Sequence, residues 1–212
     1  MEEHHLIVPR TARYHTLGES RTAKALWIVL HGYGHLARYF LRSFEGLERE
    51  LLIAAPEGLS RYYTDAEHTR VGATWMTRED REHEIADQIG YLDRLTEELQ
   101  SKCAPGTPLH VLGFSQGVAT ACRWLCMGKA HAQRLVLWGG SLPPDLSPST
   151  LAERMSTTAV HLVHGTKDTL VPEEVLAASE AKFRVTGITH ESHRFDGAHA
   201  LDKLLLQRLL TM

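Results

Sequence analysis

The pentapeptide Gly113-Phe114-Ser115-Gln116-Gly117 carries the strongest chemical signal in the chain. It follows a short apolar run, Leu109 to Leu112, and precedes a helical pattern, so Ser115 falls on a strand-to-helix turn. Such a turn strains the serine backbone, and glycines on either side keep bulk away from its hydroxyl. The hydroxyl then stands at the carboxyl edge of a sheet, and the Gln116 N–H at the helix start faces a developing oxyanion. A bare G-x-S-x-G also arises by chance in loops. Here the strand before it and the helix after it favour the catalytic reading.

A serine hydroxyl is a poor nucleophile until a base takes its proton. On a turn of this kind the acid and then the base follow the serine along the chain. His164-Gly165-Thr166-Lys167-Asp168 comes directly after the apolar run Val160 to Val163 and offers Asp168 as the orienting acid. Phe195-Asp196-Gly197-Ala198-His199 follows the strand-like Thr189 to Arg194 and offers His199 as general base. All three residues therefore fall just past a strand, on one edge of a sheet. Asp196 is the rival acid, but three residues before His199 it must reach back around a tight turn. Asp168 can also simply cap a helix or fix a turn. His31, His164 and His193 are the other candidate bases, and His31 and His164, placed before glycines at strand ends, suit the holding of loop backbone better. The turn His31-Gly32-Tyr33-Gly34 can supply a second oxyanion donor, with the Tyr33 N–H best placed.

Metal and cofactor patterns are weak. His83-Glu84 has no second histidine four residues after the first, as a zinc helix requires. Cys122 and Cys126 share a helix face without a partner histidine and read as small buried thiols. No G-x-G-x-x-G follows a strand, and no Walker pattern occurs. No metal and no cofactor are expected.

The elements that must position these residues are short apolar runs alternating with helical patterns. Leu26–Leu30, Leu51–Ala55, Leu109–Phe114, Leu135–Trp138 and Val160–His164 are nearly continuous in apolar character, which suits parallel strands covered on both faces. Helices are expected over Arg38–Glu50, Glu84–Leu99, Val118–Met127, Glu173–Phe183 and Leu201–Leu210. The alternation implies right-handed crossovers and an α/β fold with a doubly wound sheet. Two loops stand out, Glu57–Arg81 and Gly139–Thr150, and the first is too long for a simple connector. Its Tyr62, Tyr63 and Trp75 are candidate pocket walls, with Arg61 or Arg78 for an anionic end; the same aromatics can instead pin the loop to the body.

Bulk composition sets the outer limits. At 212 residues and 43% hydrophobic, one domain over 1–212 can bury a large core. The formal charge of −3, from 23 basic and 26 acidic residues, gives no electrostatic reason for a nucleic-acid partner or an anionic membrane. Apolar stretches such as Ala25 to Leu30 fall far short of the roughly 20 residues that span a bilayer. The N-terminal residues lack the regions of a signal peptide, and three cysteines without framework spacing suit a reducing compartment. A cytoplasmic location is expected.

These motifs together resemble the phospholipase/carboxylesterase family of α/β hydrolases, which includes acyl-protein thioesterases. The resemblance covers nearly the whole chain. It rests on Leu30-His31-Gly32-Tyr33-Gly34, Ala55-Pro56-Glu57-Gly58, Gly113 to Gly117, Gly140-Ser141-Leu142-Pro143, His164-Gly165 with Asp168 and Val171-Pro172, and His199. It implies an α/β-hydrolase fold, a mostly parallel sheet with helices on both faces and no separate lid domain. It also implies a serine hydrolase without cofactor, often a homodimer. Thioesterase-like members usually carry an acidic residue where this chain has His35, and a further glycine where it has Val118. The stretches Glu57–Tyr63 and Gly72–Arg78 resemble a bacterial esterase-like branch. The expected activity is hydrolysis of small or short-acyl carboxylic esters, a small-molecule ester being the partner. An acyl-protein thioesterase or lysophospholipase shares the mechanism, a peptidase of this fold usually carries an extra domain, and a non-catalytic binding module would need no activated serine.

Overall fold

A strand covered on both faces needs apolar residues at every position, and the middle of this chain supplies them repeatedly. β2 (Ala25–Leu30), β3 (Leu51–Pro56) and β6 (Leu109–Phe114) are buried throughout, and β7 (Arg134–Trp138) and β8 (Ala159–Gly165) at all but their first residues. In the computed structural model, which describes residues 1–212, these strands form the centre of a seven-stranded sheet in the order β1-β3-β2-β6-β7-β8-β9. β1 (Tyr14–Leu17) lies antiparallel to β3 at one edge, and β9 (His190–Phe195) lies parallel to β8 at the other. The remaining neighbours are parallel.

Alternation along each strand divides the core into two layers. Leu26, Ile28 and Leu30 join the larger apolar cluster, beneath α2 (Arg81–Gln100), α3 (Gln116–Met127), α4 (Pro148–Met155) and α5 (Glu173–Thr186). Trp27 and Val29 join the smaller one, beneath α1 (Ala37–Leu41) and α6 (Lys203–Thr211). α2 puts Ile85, Ile89, Leu92, Leu95 and Leu99 on one buried stripe, one turn longer at its start than the apolar spacing alone indicates. α6 is capped by the Asp202 carboxylate, which accepts from the Leu205 amide at 2.8 Å.

Apart from β1, where the sequence reading places no strand, and small differences at helix ends, the structure departs from that reading in three places. The helix expected over Arg38–Glu50 is five residues of α1 and a 3₁₀ turn, Arg42–Phe44, because Gly46 takes a positive φ of 82° and ends it. Phe40, Leu41, Phe44 and Leu47 are nonetheless all buried. The stretch read as a loop, Gly139–Thr150, contains the start of α4, where Ser147 caps the helix and Pro148 occupies its first position. The long segment Glu57–Arg81 contains an antiparallel hairpin, β4 (Ser60–Tyr63) and β5 (Val71–Thr74). Its turn is closed by the Asp65 carboxylate, which accepts from the amides of Thr69 and Arg70.

One buried polar group in the sheet has a cost that depends on pH. His110 of β6 lies on the α1/α6 side with its ring 4.9 Å from that of Trp27, and its Nδ1 has no partner. Burial, and then the charge of Arg134, lower its pKa to about 4. Between that value and the unfolded value of 6.5 the unfolded chain holds the extra proton, so acidification through this window favours unfolding. With allowance for partial solvent contact, the loss is about 2 kcal/mol. His110→Phe keeps a ring against Trp27 and removes the proton-binding site. In thermal melts from pH 7 to 4.5, its Tm should fall by several degrees less than that of the native chain. Parallel curves would mean that His110 does not set this slope.

Candidate active site

Ser115 sits where β6 turns into α3, with φ 54° and ψ −117°. A non-glycine residue at such a φ is strained, and only a surrounding structure that leaves no alternative holds it there. The Ser115 N–H donates to the Trp138 carbonyl at 2.9 Å, tying the turn to the end of β7. The flanking glycines are a matter of space. A Cβ on Gly113 would lie 2.4 Å from the Gly117 carbonyl oxygen, and one on Gly117 would lie 2.3 Å from that of Leu30. The turn 32–35 rests directly against the serine, since a Cβ on Gly32 would come 3.1 Å from that of Ser115. The N–H groups of Tyr33 and Gln116 have no acceptor within the protein. That is the state expected of donors kept for an oxyanion.

Asp168 and His199 come from loops beyond β8 and β9, and the two loops are joined through their backbones. Thr166 N–H donates to Phe195 and Lys167 N–H to Gly197, both at 2.9 Å. This brings His199 Nδ1 to 2.7 Å from Asp168 Oδ2. The other Asp168 oxygen accepts from the amides of Leu170 and Val171 at 2.9 and 3.0 Å. Burial alone would raise the Asp168 pKa. The hydrogen bonds from His199, Val171 and Leu170 outweigh it and hold the carboxyl below its ordinary range. The glycine pair that follows β7 adjoins both His199 and the serine turn. A Cβ on Gly139 would lie 3.4 Å from the imidazole, and one on Gly140 would lie 2.5 Å from the Ser115 carbonyl oxygen. The imidazole also packs against Phe114, ring centroids 4.9 Å apart.

The rival residues point elsewhere. Asp196 is exposed and pairs with Lys167 at 2.7 Å. His193 lies 3.1 Å from His161, with the Arg208 guanidinium on its other nitrogen. His31 holds backbone: its Nδ1–H donates to Gly32 and its Nε2 accepts from the Gly58 N–H at 3.0 Å. Burial lowers the His31 pKa to about 4, so it stays neutral in that role. His164 is buried in β8. Metal-type donors converge at His5–Asp80–His83 on the surface and at His161–Glu191–His193, and neither group includes Ser115, His199 or Asp168.

The sequence profile of the phospholipase/carboxylesterase family matches residues 15–212. The chain belongs to this family. Its members' fold recurs in solved structures. An acyl-protein thioesterase 2 from Zea mays superposes with a TM-score of 0.72 at 21% identity, covering 95% of this chain and 97% of that one. A carboxylesterase from Mesorhizobium loti superposes with a TM-score of 0.74 at 15% identity, covering 94% of each chain. No curated protein matches the chain by sequence. The phospholipase/carboxylesterase relationship makes this an α/β-hydrolase-fold enzyme of the esterase type. It also gives the two departures a structural setting. Val118 is fully buried against Gly140, where a Cβ would lie 2.6 Å from the valine Cγ2. His35 stacks on Phe114, centroids 5.8 Å apart, and burial and then the nearby His199 lower its pKa.

Beside His199 a cleft of about 420 Å³ opens between α1 and the loop that follows β9, lined chiefly by His35, Tyr39, Phe40, Val71, Phe114 and Leu201. The three aromatics expected to wall a pocket are placed differently. Tyr62 is at the site, its hydroxyl against Gly34 and its ring 5.2 Å from that of Tyr33. Tyr63 faces the other side of the hairpin and packs on His68. Trp75 is buried behind the site, where its Nε1–H donates to the His31 carbonyl at 2.8 Å. Arg61 binds the buried Glu57 carboxylate through its Nε, together with Arg13. Phe40 and Phe114 carried only a core signal in the sequence, and nothing there pointed to Val71. No motif marked the Gln116 side chain either, yet it is tied to Thr74, Trp75 and Met76.

The pairing of Asp168, and not Asp196, with His199 has a direct consequence for ester hydrolysis. Asp168→Asn should reduce kcat by about 10⁴ while leaving the fold intact, since the imidazole loses the partner that fixes its tautomer. Asp196→Asn should change kcat by less than about twofold, because it removes only an exposed ion pair. The reverse ranking would transfer the acid role to Asp196.

Proposed function

We propose that this protein is a serine carboxylic-ester hydrolase acting through Ser115, His199 and Asp168 on small or short-acyl esters. The observation that carries the reading is the 2.7 Å bond between His199 Nδ1 and Asp168 Oδ2, formed beside a serine held at positive φ. The bond leaves His199 Nε2 as the basic nitrogen. Ser115 Oγ attacks the ester carbonyl as its proton passes to Nε2. The oxyanion so formed lies between the amides of Tyr33 and Gln116. The bond to the leaving oxygen then breaks, and His199 returns the proton to the departing alcohol. Water, deprotonated by the same nitrogen, attacks the acyl-enzyme, and collapse of the second tetrahedral intermediate releases the acid and free Ser115.

A cleft of about 420 Å³ with aromatic and aliphatic walls supports an apolar acyl or alkyl group of modest size. Its Tyr39, Phe40 and Phe114 walls also suit a longer chain, so an acyl thioester or lysolipid is the second reading, with the same bond chemistry. Three free cysteines suit a reducing, cytoplasmic setting.

Hydrolysis of p-nitrophenyl esters from acetate to palmitate tests both readings. Activity should peak at short chains, and Ser115→Ala should lower kcat by at least about 10⁴. A peak at long chains would select the second reading, and a loss under about tenfold in Ser115→Ala would remove Ser115 as nucleophile. Failure of a fluorophosphonate to label the native protein would favour a binding module.

A further inference from the structure

We infer that the side chain of Gln116 is the positioning residue of the oxyanion hole, acting through β5 to fix the separation between the Tyr33 and Gln116 amides. The inference rests on the reading of Ser115 given above. The Gln116 backbone N–H is free, while its side-chain amide is turned into the end of the hairpin and bonded there on both atoms. Oε1 accepts from the Trp75 N–H at 3.2 Å, and Nε2 donates to the Met76 carbonyl at 3.0 Å and the Thr74 hydroxyl at 2.9 Å. One backbone partner can only donate and the other can only accept, so they fix which way round the amide lies. The Thr74 hydroxyl accepts from Nε2 and itself donates to the Met76 carbonyl at 2.9 Å.

The same strand grips the other donor. Gly34 N–H donates to the Ala73 carbonyl at 2.9 Å, and Ala73 N–H donates to the His35 carbonyl at 3.2 Å. The backbones touch, since a Cβ on Gly72 would fall 2.6 Å from the Gly34 oxygen. The turn that presents the Tyr33 N–H is thus bonded to Ala73, and the residue that presents the second N–H is bonded to Thr74, Trp75 and Met76. Trp75 Nε1–H closes the frame on the His31 carbonyl. Four consecutive residues, Ala73 to Met76, hold both donors at one spacing. An oxyanion hole works only if its donors are already placed when charge develops, so a shift of one donor is felt in the transition state and not in the ground state. A hairpin clamp with no catalytic role would affect folding stability alone.

Gln116→Leu removes every side-chain bond and keeps the backbone amide and much of the volume. With p-nitrophenyl butyrate, kcat should fall about 30- to 100-fold with KM within about threefold. Affinity for an alkyl trifluoromethyl ketone, whose serine adduct carries the oxyanion, should weaken by a similar factor. Thr74→Val, which keeps the side-chain shape, should lower kcat about tenfold, and adding it to Gln116→Leu should cost less than the sum of the two. A folded Gln116→Leu protein with kcat and ketone affinity within about threefold of native overturns the inference, as does a fall in kcat without a fall in ketone affinity. Should Gln116→Leu not fold, Thr74→Val decides alone, and a kcat within about twofold of native overturns the inference. Ser115→Ala separates the two failures. If that variant stays active, the nucleophile reading falls; if it is dead and Gln116→Leu is unaffected, only the positioning role falls.

Discussion

The turn from β6 into α3 exists because two residues in it have no side chain and two carbonyls occupy the space where side chains would go. With the Leu30 oxygen 2.3 Å from the Cβ position of Gly117, α3 can begin close against the end of β2. With the Gly117 oxygen 2.4 Å from the Cβ position of Gly113, the helix folds back over its own strand. Ser115 has nowhere to relax between these contacts, and its positive φ follows. The rest of the site is arranged around that fixed point. The 32–35 turn lies against its side chain and Gly140 against its carbonyl. Strain is stored at one residue because the sheet on one side and the helix on the other are too well packed to yield.

Carboxylates near this edge are held by the same logic. Burial alone would raise the Glu57 pKa, but Arg61, Arg13 and the Ala37 amide, which its Oε2 caps at 3.2 Å, hold the carboxylate low. It thereby fixes where α1 starts and where the cleft wall stands. Asp145 binds Arg123 at 2.7 Å and Arg81 at 2.9 Å, and Arg123 lowers its pKa to about 2. That pair ties the loop after β7 to α3 and to the first turn of α2. Each carboxylate joins segments far apart in sequence, so the loops at the carboxyl edge are braced by ion pairs as well as by packing. A carboxylate this well satisfied stays charged into acid, and its contribution to stability is lost only as pH falls through its depressed pKa.

The sequence made the grouping of Ser115, Asp168 and His199 at one sheet edge legible because each residue's signal is local. Gly113–Gly117 is a five-residue geometric requirement, Asp168 lies just past the apolar run of β8, and His199 lies just past β9, a polar edge strand. What was lost was information held between distant segments. β4 and β5 are four residues each, with a seven-residue connection, and their short alternation gives no clear period. Trp75 looked like a pocket wall because it is a large aromatic in a polar stretch, yet its indole N–H serves the His31 carbonyl. α4 was hidden by its own start signal, since Ser147-Pro148 reads as loop composition until it is taken as a cap and a first helical position.

The cleft beside His199 was the least legible feature, and the reason lies in which residues line it. Phe40 and Phe114 are core residues by burial as well as by spacing, and both also line the cleft. Their periodicity therefore announces a core and conceals a cleft wall. Tyr39, Val71 and Leu201 complete the cleft from α1, from β5 and from the loop before α6, three segments that meet only in the folded chain. None of the three is fully buried, and none touches the carbonyls that fix Ser115. Substitutions there can reshape the cleft at a cost to stability far below that of altering Gly117 or Asp168. The residues that fix the turn at Ser115 thus stand at positions that cannot change without breaking it, while the cleft walls stand at positions that can.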